Sequence, residues 1–263
     1  MKLHLVNGFL GSGKTTAIIA ATRYFLDQGE KVGIVTNDKG HYQVDTAFFQ
    51  SARIPTAQVA GGCFRCSFDE FKNQIFTLSQ AASLDILFAE SVGSCVDLVN
   101  TVFPPLYSIP DMHLEATTFT VFTDIRLFRR WLNGDSLPFS DPIIYTYSKQ
   151  IDETEVLVLN KVDLLKTEEC SSILEKASRR FPEKTIILQS SLPDLLEYPW
   201  IKSLEVTGYA PKMQNFKVDY TQYMDAEKKM AWFDKVFLVK PADPDGSRRG
   251  AITMIGNLVE ALR

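Results

Sequence analysis

Gly8-Phe9-Leu10-Gly11-Ser12-Gly13-Lys14-Thr15 fits the pattern G-x-x-x-x-G-K-[ST]. It lies between an apolar, strand-like run at 2–6 and an amphipathic, helix-like run at 14–28 that Gly29 stops. Phosphate oxygens need several backbone amides at close spacing, and glycine lets the chain turn and approach tightly enough to supply them. The N-terminus of the following helix adds its dipole to those amides. Lys14 can reach the β- and γ-phosphates, and the Thr15 hydroxyl can be offered to Mg²⁺. The amides of 11–16, Ser12 and Thr16 among them, complete the cradle. A strand–loop–helix of this kind needs a parallel sheet around it, which narrows the fold sharply.

The rest of the chain agrees. Strand-like runs at 31–36, 56–60, 84–89, 116–123, 155–159 and 185–189 alternate with helix-like runs, as βαβ units around a parallel sheet require. The run Leu84-Asp85-Ile86-Leu87-Phe88-Ala89 is almost continuously apolar, as expected of a strand buried on both faces. Ser67-Phe68-Asp69-Glu70 reads as a capping box opening a helix to about residue 82. Helices are also expected near 125–132 and 167–180, with a Pro-Pro interruption at 104–105. The expected fold is α/β, a doubly wound, mostly parallel sheet of the P-loop NTPase fold. Near residue 205 the alternation fades, dividing the chain into a 1–205 nucleotide-binding domain and a 206–263 C-terminal appendage. The last helix, 251–262, runs to the chain end, as it would in a truncated appendage.

Asn160-Lys161-Val162-Asp163 follows a strand and matches N-K-x-D, a guanine-reading pattern. The Asp163 carboxylate can accept from both N1–H and the exocyclic amine of guanine, a donor pair that adenine lacks. Asn160 can bond the O6/N7 edge, the Lys161 stem can lie along the ring, and Ser190-Ser191 would cover the base through backbone amides. Glu90-Ser91-Val92-Gly93 gives E-x-x-G at a strand end. There Glu90 can orient Mg²⁺-bound water and the Gly93 amide can sense a γ-phosphate. Asp38, after the second strand, is a candidate for the Mg²⁺ shell or for activating water, and equally an ordinary turn aspartate. The expected catalytic group is Lys14, Asp38 and Glu90.

Four cysteines in 263 residues are too few for a disulfide framework, and a reducing cytoplasm is the expected compartment. Gly61-Gly62-Cys63-Phe64-Arg65-Cys66 holds two of them as C-x-x-C. They read as half of a thiolate metal site, as a redox pair, or as two structural thiols. Cys95 lies just past Glu90, so strand topology puts it at the same sheet edge, and Cys63, Cys66 and Cys95 together can hold Zn²⁺ or another transition metal. His41 could join them; His4, His113 and Cys170 read as structural. The net charge of −4 disfavours a protein that lives on nucleic-acid phosphates. No run approaches the length of a membrane span, and the N-terminal apolar run is too short for a signal peptide.

In this order, GFLGSGKTT at 8–16, the Gly-Gly-Cys loop, E-x-x-G and N-K-x-D resemble the CobW/HypB/UreG family of P-loop GTPases, nearest its CobW branch. Asn37-Asp38-Lys39-Gly40 and Lys149-Gln150-Ile151-Asp152 add to the likeness, which covers about residues 1–195; residues 218–238 resemble a further segment of some CobW relatives. The resemblance implies a slow GTPase acting in metal or cofactor delivery to a client metalloenzyme, often through a nucleotide-dependent homodimer. CobW-like members carry C-x-C-C where this chain has Arg65 in place of the middle cysteine, and the histidine-rich tract of nickel-handling relatives is missing. Two rival readings are a non-catalytic GTP-dependent switch for a client enzyme and a P-loop small-molecule kinase, for which Arg129-Arg130 would be the basic lid.

Overall fold

The computed structural model describes residues 1–37, 49, 54–59, 62–110, 112–192, 198–205, 208–212, 217–230 and 247–261. Asp38, His41 and Gly61 lie outside the described residues. The chain forms two compact units, Met1–Trp232 and Phe233–Arg263, so the first extends beyond the expected boundary at residue 205. Segment 208–230 belongs to it: Thr117 N–H donates to the Tyr209 carbonyl at 2.7 Å, and Gly208 N–H to Glu115 at 3.1 Å.

In chain order the first unit runs β1 (Lys2–Gly8), α1 (Lys14–Asp27), β2 (Val32–Thr36), β3 (Thr56–Gln58), α2 (Phe68–Ala82), β4 (Ile86–Glu90), α3 (Leu98–Thr101) and α4 (Phe103–Tyr107). It continues with β5 (Ala116–Asp124), α5 (Ile125–Asn133), α6 (Asp141–Glu153), β6 (Val156–Asn160), a 3-10 turn (Val162–Leu164), α7 (Thr167–Arg180), β7 (Thr185–Gln189), α8 (Pro199–Ser203) and α9 (Tyr220–Lys229). The seven strands form one sheet in the order β3-β2-β4-β1-β5-β6-β7, every pairing parallel. The sheet is the doubly wound α/β fold expected, with β1 at its centre.

Alternation along the strands makes two cores. Leu3 and Leu5 of β1, Leu87 and Ala89 of β4, and Leu157 and Leu159 of β6 face the side covered by α2, α5 and α6. Val6, Ile86, Phe88 and Val158 face the other side, with Ala17, Ile18, Ala21 and Phe25 of α1 and Trp200 of α8. Trp200 is fully buried, edge-on to Phe122 with ring centroids 4.8 Å apart, and its indole N–H reaches the Thr120 hydroxyl at 3.2 Å. His4 is structural, as expected. Burial, with Lys2 nearby, holds its pKa down to about 3, so the neutral ring shares a 2.8 Å hydrogen bond with Thr118.

Three local expectations differ from what forms. Ser67 precedes α2, but its side chain makes no capping bond; the turn closes instead through Phe71 N–H to the Ser67 carbonyl at 3.0 Å. Pro104 and Pro105 do not interrupt a helix but sit in the first turn of α4, where a missing N–H costs nothing. Helix α6 falls outside the expected elements, although Ile143, Tyr147 and Ile151 are buried at i, i+4, i+8 spacing. Its β-branched and tyrosine residues lower intrinsic propensity, and burial of that stripe overrides it. Among the described residues of the second unit is one helix, α10 (Ser247–Ala261), on which Ile252 and Ile255 are exposed. No helix among the described residues is long and apolar enough to cross a membrane.

Candidate functional site

At the carboxyl edge of the sheet, β1 ends in the phosphate-binding loop. Gly8 has φ +140°, and a Cβ there would stand 2.1 Å from the Phe122 carbonyl oxygen. Gly13 has φ +91°, and a Cβ would stand 2.3 Å from the Asn160 amide nitrogen. Both positions therefore demand glycine, for backbone angle and for space. The Lys14 ammonium arches back over the loop to the carbonyls of Gly8 (2.9 Å) and Phe9 (3.5 Å). Ser12 is buried with a hydroxyl that finds no hydrogen-bond partner among the described residues, the kind of donor a phosphate oxygen would satisfy.

Thr15 and Glu90 meet as expected: the Thr15 hydroxyl donates to Glu90 Oε1 at 2.7 Å. A hydroxyl and a buried carboxylate side by side at a helix N-terminus are hard oxygen donors, the set that fits Mg²⁺. Gly93 lies against the phosphate loop, where a Cβ would come within 3.1 Å of Leu10 N. Asn7 and Gln150, both buried, hold this stretch. Asn7 Nδ2 donates to the Cys95 carbonyl at 3.0 Å, Ser91 Oγ donates to Asn7 Oδ1 at 2.7 Å, and Gln150 Nε2 donates to the carbonyls of Gly93 (3.0 Å) and Cys95 (2.9 Å).

On the other side of the loop is a cleft of about 310 Å³ lined by Gly13, Thr16, Lys161, Asp163, Ser190 and Leu192, among others. The structure thus gathers the N-K-x-D motif, Ser190 and the phosphate loop at one opening. Asn160, which also lines this cleft, is buried, donating to the Ser12 carbonyl at 2.8 Å and accepting from Ser191 at 3.0 Å. It ties the phosphate loop to the base cleft. Asp163 is exposed at the cleft, and the Ser190 hydroxyl fixes it by donating at 2.5 Å. Lys161 has φ +67°, which swings its ammonium to Asp124 Oδ2 at 3.1 Å. Burial raises the Asp124 pKa, but the side chain and amide of Arg126, with Lys161, outweigh it and hold it down to about 2. Arg129 and Arg130 are turned elsewhere, to Glu169 at 2.7 Å and to the Ser136 carbonyl.

The cysteine loop stands at the other half of the same edge. Asn37 Nδ2 braces it through the carbonyls of Val59 (3.1 Å) and Gly62 (2.6 Å). Cys63 is buried and Cys66 exposed, with their sulfurs 3.3 Å apart. Cys95 comes to the same place. Its thiol, above all, stabilises the Cys63 thiolate and overcomes burial; with the amide and thiol of Cys66 and the charge of Arg65 it brings the Cys63 pKa down to about 5. Burial and the Cys63 sulfur push Cys66 up. The three sulfurs gather, yet among the described residues no group of three or more His, Cys, Asp or Glu is arranged to hold a metal ion. Cys170 is buried on α7, packing as expected.

Helix α9 closes over this loop, which no motif foretells. The Arg65 guanidinium lies over the rings of Tyr220 (4.8 Å) and Tyr223 (5.1 Å), and the Tyr220 hydroxyl donates to Asp97. The Asp219 carboxylate caps α9 by accepting from the Thr221 and Gln222 amides at 2.9 and 3.3 Å. Glu153 of α6 accepts from the amides of Asp97 (2.8 Å) and Val99 (2.7 Å). Burial nevertheless dominates and raises its pKa to about 8.

Residues 2–189 match the family described as CobW/HypB/UreG, nucleotide-binding domain. The zinc chaperone CobW of Pseudomonas aeruginosa is 21% identical over 217 residues, 73% of this chain and 56% of that protein. The zinc chaperone YeiR of Escherichia coli is 27% identical over 166 residues, 62% of this chain and 47% of that protein. The chain therefore spans about half the length of these curated relatives. The crystal structure of the hydrogenase maturation factor HypB from Archaeoglobus fulgidus superposes with a TM-score of 0.50 at 19% identity, covering 78% of this chain and 88% of that one; the likeness is one of fold. With the phosphate loop, E-x-x-G and N-K-x-D assembled at one sheet edge, the chain belongs to the CobW/HypB/UreG family of P-loop GTPases.

Proposed function

We propose that this chain is a GTP-binding, slowly GTP-hydrolysing metallochaperone that serves a client metalloenzyme. The observation that carries the reading is one short segment, Glu90 to Cys95. At its start Glu90 bonds Thr15, and at its end Cys95 stands beside Cys63. Any change at the nucleotide that moves this segment also moves a thiol. Lys14, Ser12 and the amides of 11–16 hold the phosphates; Thr15 and Glu90 hold Mg²⁺, which when bound neutralises developing phosphate charge. Asp163 and the Lys161 stem read guanine, with Ser190 fixing the carboxylate and Asn160 joining the base and phosphate halves. Asp38 is proposed in the same shell.

The cargo is a soft or borderline divalent metal on Cys63, Cys66 and Cys95. Zn²⁺ is proposed because two relatives are named zinc chaperones. Binding requires the pair to part slightly, since two thiolates on one zinc stand about 3.8 Å apart at bonds of about 2.3 Å. By linkage, the metal and the nucleotide change each other's affinity by one common factor. Turnover is slow, on the order of 10⁻⁴ to 10⁻² s⁻¹, the range of GTPases that act without a partner's arginine finger. A nucleotide-dependent homodimer and a cytoplasmic site of action complete the proposal.

The test is a Zn²⁺ titration of the reduced protein with and without a non-hydrolysable GTP analogue, beside a phosphate-release assay. Zinc affinity that shifts with nucleotide, and slow release of phosphate, are expected. Zinc binding that is equally tight in a Cys63→Ser/Cys66→Ser/Cys95→Ser variant would remove the cargo site. Absence of hydrolysis would leave a GTP-dependent switch in its place.

A further inference from the structure

The Cys63–Cys66 loop has a geometry that a metal clip does not need. Its sulfurs, at 3.3 Å, are closer than two ligands of one zinc. They have only to close to about 2.05 Å to share a covalent bond. The turn that holds them is fixed at both ends. Ser67 N–H donates to the Cys63 carbonyl at 2.9 Å, and the intervening Phe64 is fully buried, stacked on Phe71 of α2 with centroids 4.1 Å apart.

The two sulfurs are also differently placed: Cys66 is exposed, whereas Cys63 is buried directly behind it. Arg65 sets its guanidinium 4.0 Å from the Cys66 sulfur, and the rings of Tyr220 and Tyr223 hold it there. An accessible sulfur, a buried resolving sulfur in contact with it, and a fixed cation are the components of a thiol–disulfide exchange centre.

We propose that Cys63 and Cys66 form a reversible intramolecular disulfide by exchange with low-molecular-weight disulfides of the glutathione type. The Cys66 thiolate attacks one sulfur of RS–SR, the reagent's S–S bond breaks, and one RS⁻ departs, taking up the proton that Cys66 released. The Cys63 thiolate then attacks the Cys66 sulfur. The mixed disulfide breaks, and the second RS⁻ leaves and takes a proton from solvent, since Cys63 is already a thiolate. Two protein thiols are oxidised by two electrons to one disulfide, and RS–SR is reduced to two RSH. No step involves a metal, so the inference stands apart from the cargo reading. Where that reading holds, the disulfide removes two of its three ligands.

The metal-free full chain, treated with chelator, is equilibrated across a series of reduced-to-oxidised glutathione ratios and quenched in acid. Remaining thiols are alkylated and the protein is mapped by mass spectrometry. The expected result is a single transition from four alkylated cysteines to two, with Cys63 and Cys66 bridged within one peptide. Cys66→Ser and Cys63→Ser should each abolish the bridge, and Cys170→Ser should leave the transition unchanged. Persistence of both free thiols at every ratio, a stable glutathione adduct on Cys66, or a Cys63–Cys95 bridge instead would each overturn the proposal. Zn²⁺ titration of the reduced chain separates the two ideas: a disulfide without zinc binding leaves this inference standing and removes the cargo, and the reverse result does the opposite.

Discussion

The two halves of the carboxyl edge reach order by different routes. In the nucleotide half, the groups that matter come from short motifs that carry their own geometry. Gly8 and Gly13 set the loop, Lys14 and Thr15 follow within two residues, and Asp163 is fixed by Ser190 from the adjacent strand end. In the thiol half, only Cys63 and Cys66 are local to one another. Their neighbours arrive from far along the chain: Cys95 from the end of β4, Glu153 from α6, and Tyr220 from α9, 123 residues from the Asp97 it bonds. A motif-built site should fail at a single residue while the fold persists. An assembled site should respond to its supports, through stability and accessibility.

The sharpest way to break this contrast is Lys14→Ala. Truncating one partner of a buried, hydrogen-bonded charge contact costs about 2–5 kcal/mol, so guanine nucleotide affinity should fall by about a thousandfold. Because the Lys14 ammonium bonds carbonyls of the loop that carries it, thermal unfolding of the nucleotide-free variant should stay within about 1 kcal/mol of the parent. A comparable loss of stability would mean that the nucleotide half is not self-contained.

Glu153 tests the other half through pH. Its folded pKa, about 8, lies above its ordinary 4.5, so the folded state binds the extra proton. The stabilisation is fully present below about pH 4.5 and is lost as pH rises through about 8, a change of roughly 5 kcal/mol. Glu153→Gln cannot ionise and can accept from only one of the two amides. It should be less stable than the parent at pH 5 but lack this pH dependence. Denaturant unfolding of both proteins from pH 5 to 9 measures the difference, and parallel curves would place the titration elsewhere.

The same contrast explains what the sequence made legible. Phosphate loop, E-x-x-G and N-K-x-D are contiguous, and their spacing against strand ends indicates the doubly wound sheet and the common edge. That Cys95 and Cys63 share one sheet edge is also readable, because the ends of β3 and β4 lie at that edge with only β2 between them. Helix α6 was missed although Ile143, Tyr147 and Ile151 mark its buried face, since tyrosine and β-branched residues do not advertise a helix. The cover of α9 left no local trace. Tyr220 and Tyr223 at i, i+3 show only a helix face, and the ring contacts with Arg65 are properties of the fold.

A smaller effect sharpens the nucleotide half. Asp163→Asn removes an acceptor that matches two guanine donors, so GTP affinity should fall by about a hundredfold and xanthine nucleotide affinity should rise. Titration with fluorescent guanine, xanthine and adenine nucleotides reads both. Retained guanine preference would move base recognition to other groups lining the cleft and free Asp163 of the role proposed for it.

The smallest expected change lies in the thiol half, at Tyr220→Phe. The ring remains, so the stacking on Arg65, worth roughly 0.5–1 kcal/mol, should survive. The hydroxyl's bonds to the Asp97 carboxylate and to Arg65 are lost, contacts to charged groups that contribute about 1.5–3 kcal/mol when buried and less here, where they are half-exposed. The Asp219 cap and the Tyr145 hydroxyl, which accepts from Asp219 N–H at 2.6 Å, still anchor the start of α9. The helix should therefore stay folded but release the loop more often. A cost of about 1 kcal/mol in that closure makes the open form about fivefold more frequent. Cys66 alkylation should accelerate by no more than that factor, since Cys66 is already exposed; buried Cys63 should show the full increase. GTP affinity should not change. If Cys63 reacts at the parent rate while global stability falls, α9 braces the fold without governing access to the thiols. If GTP affinity also drops, the two halves of the edge are coupled through Asp97 and the Glu90–Cys95 segment, and the contrast between them is one of construction rather than of function.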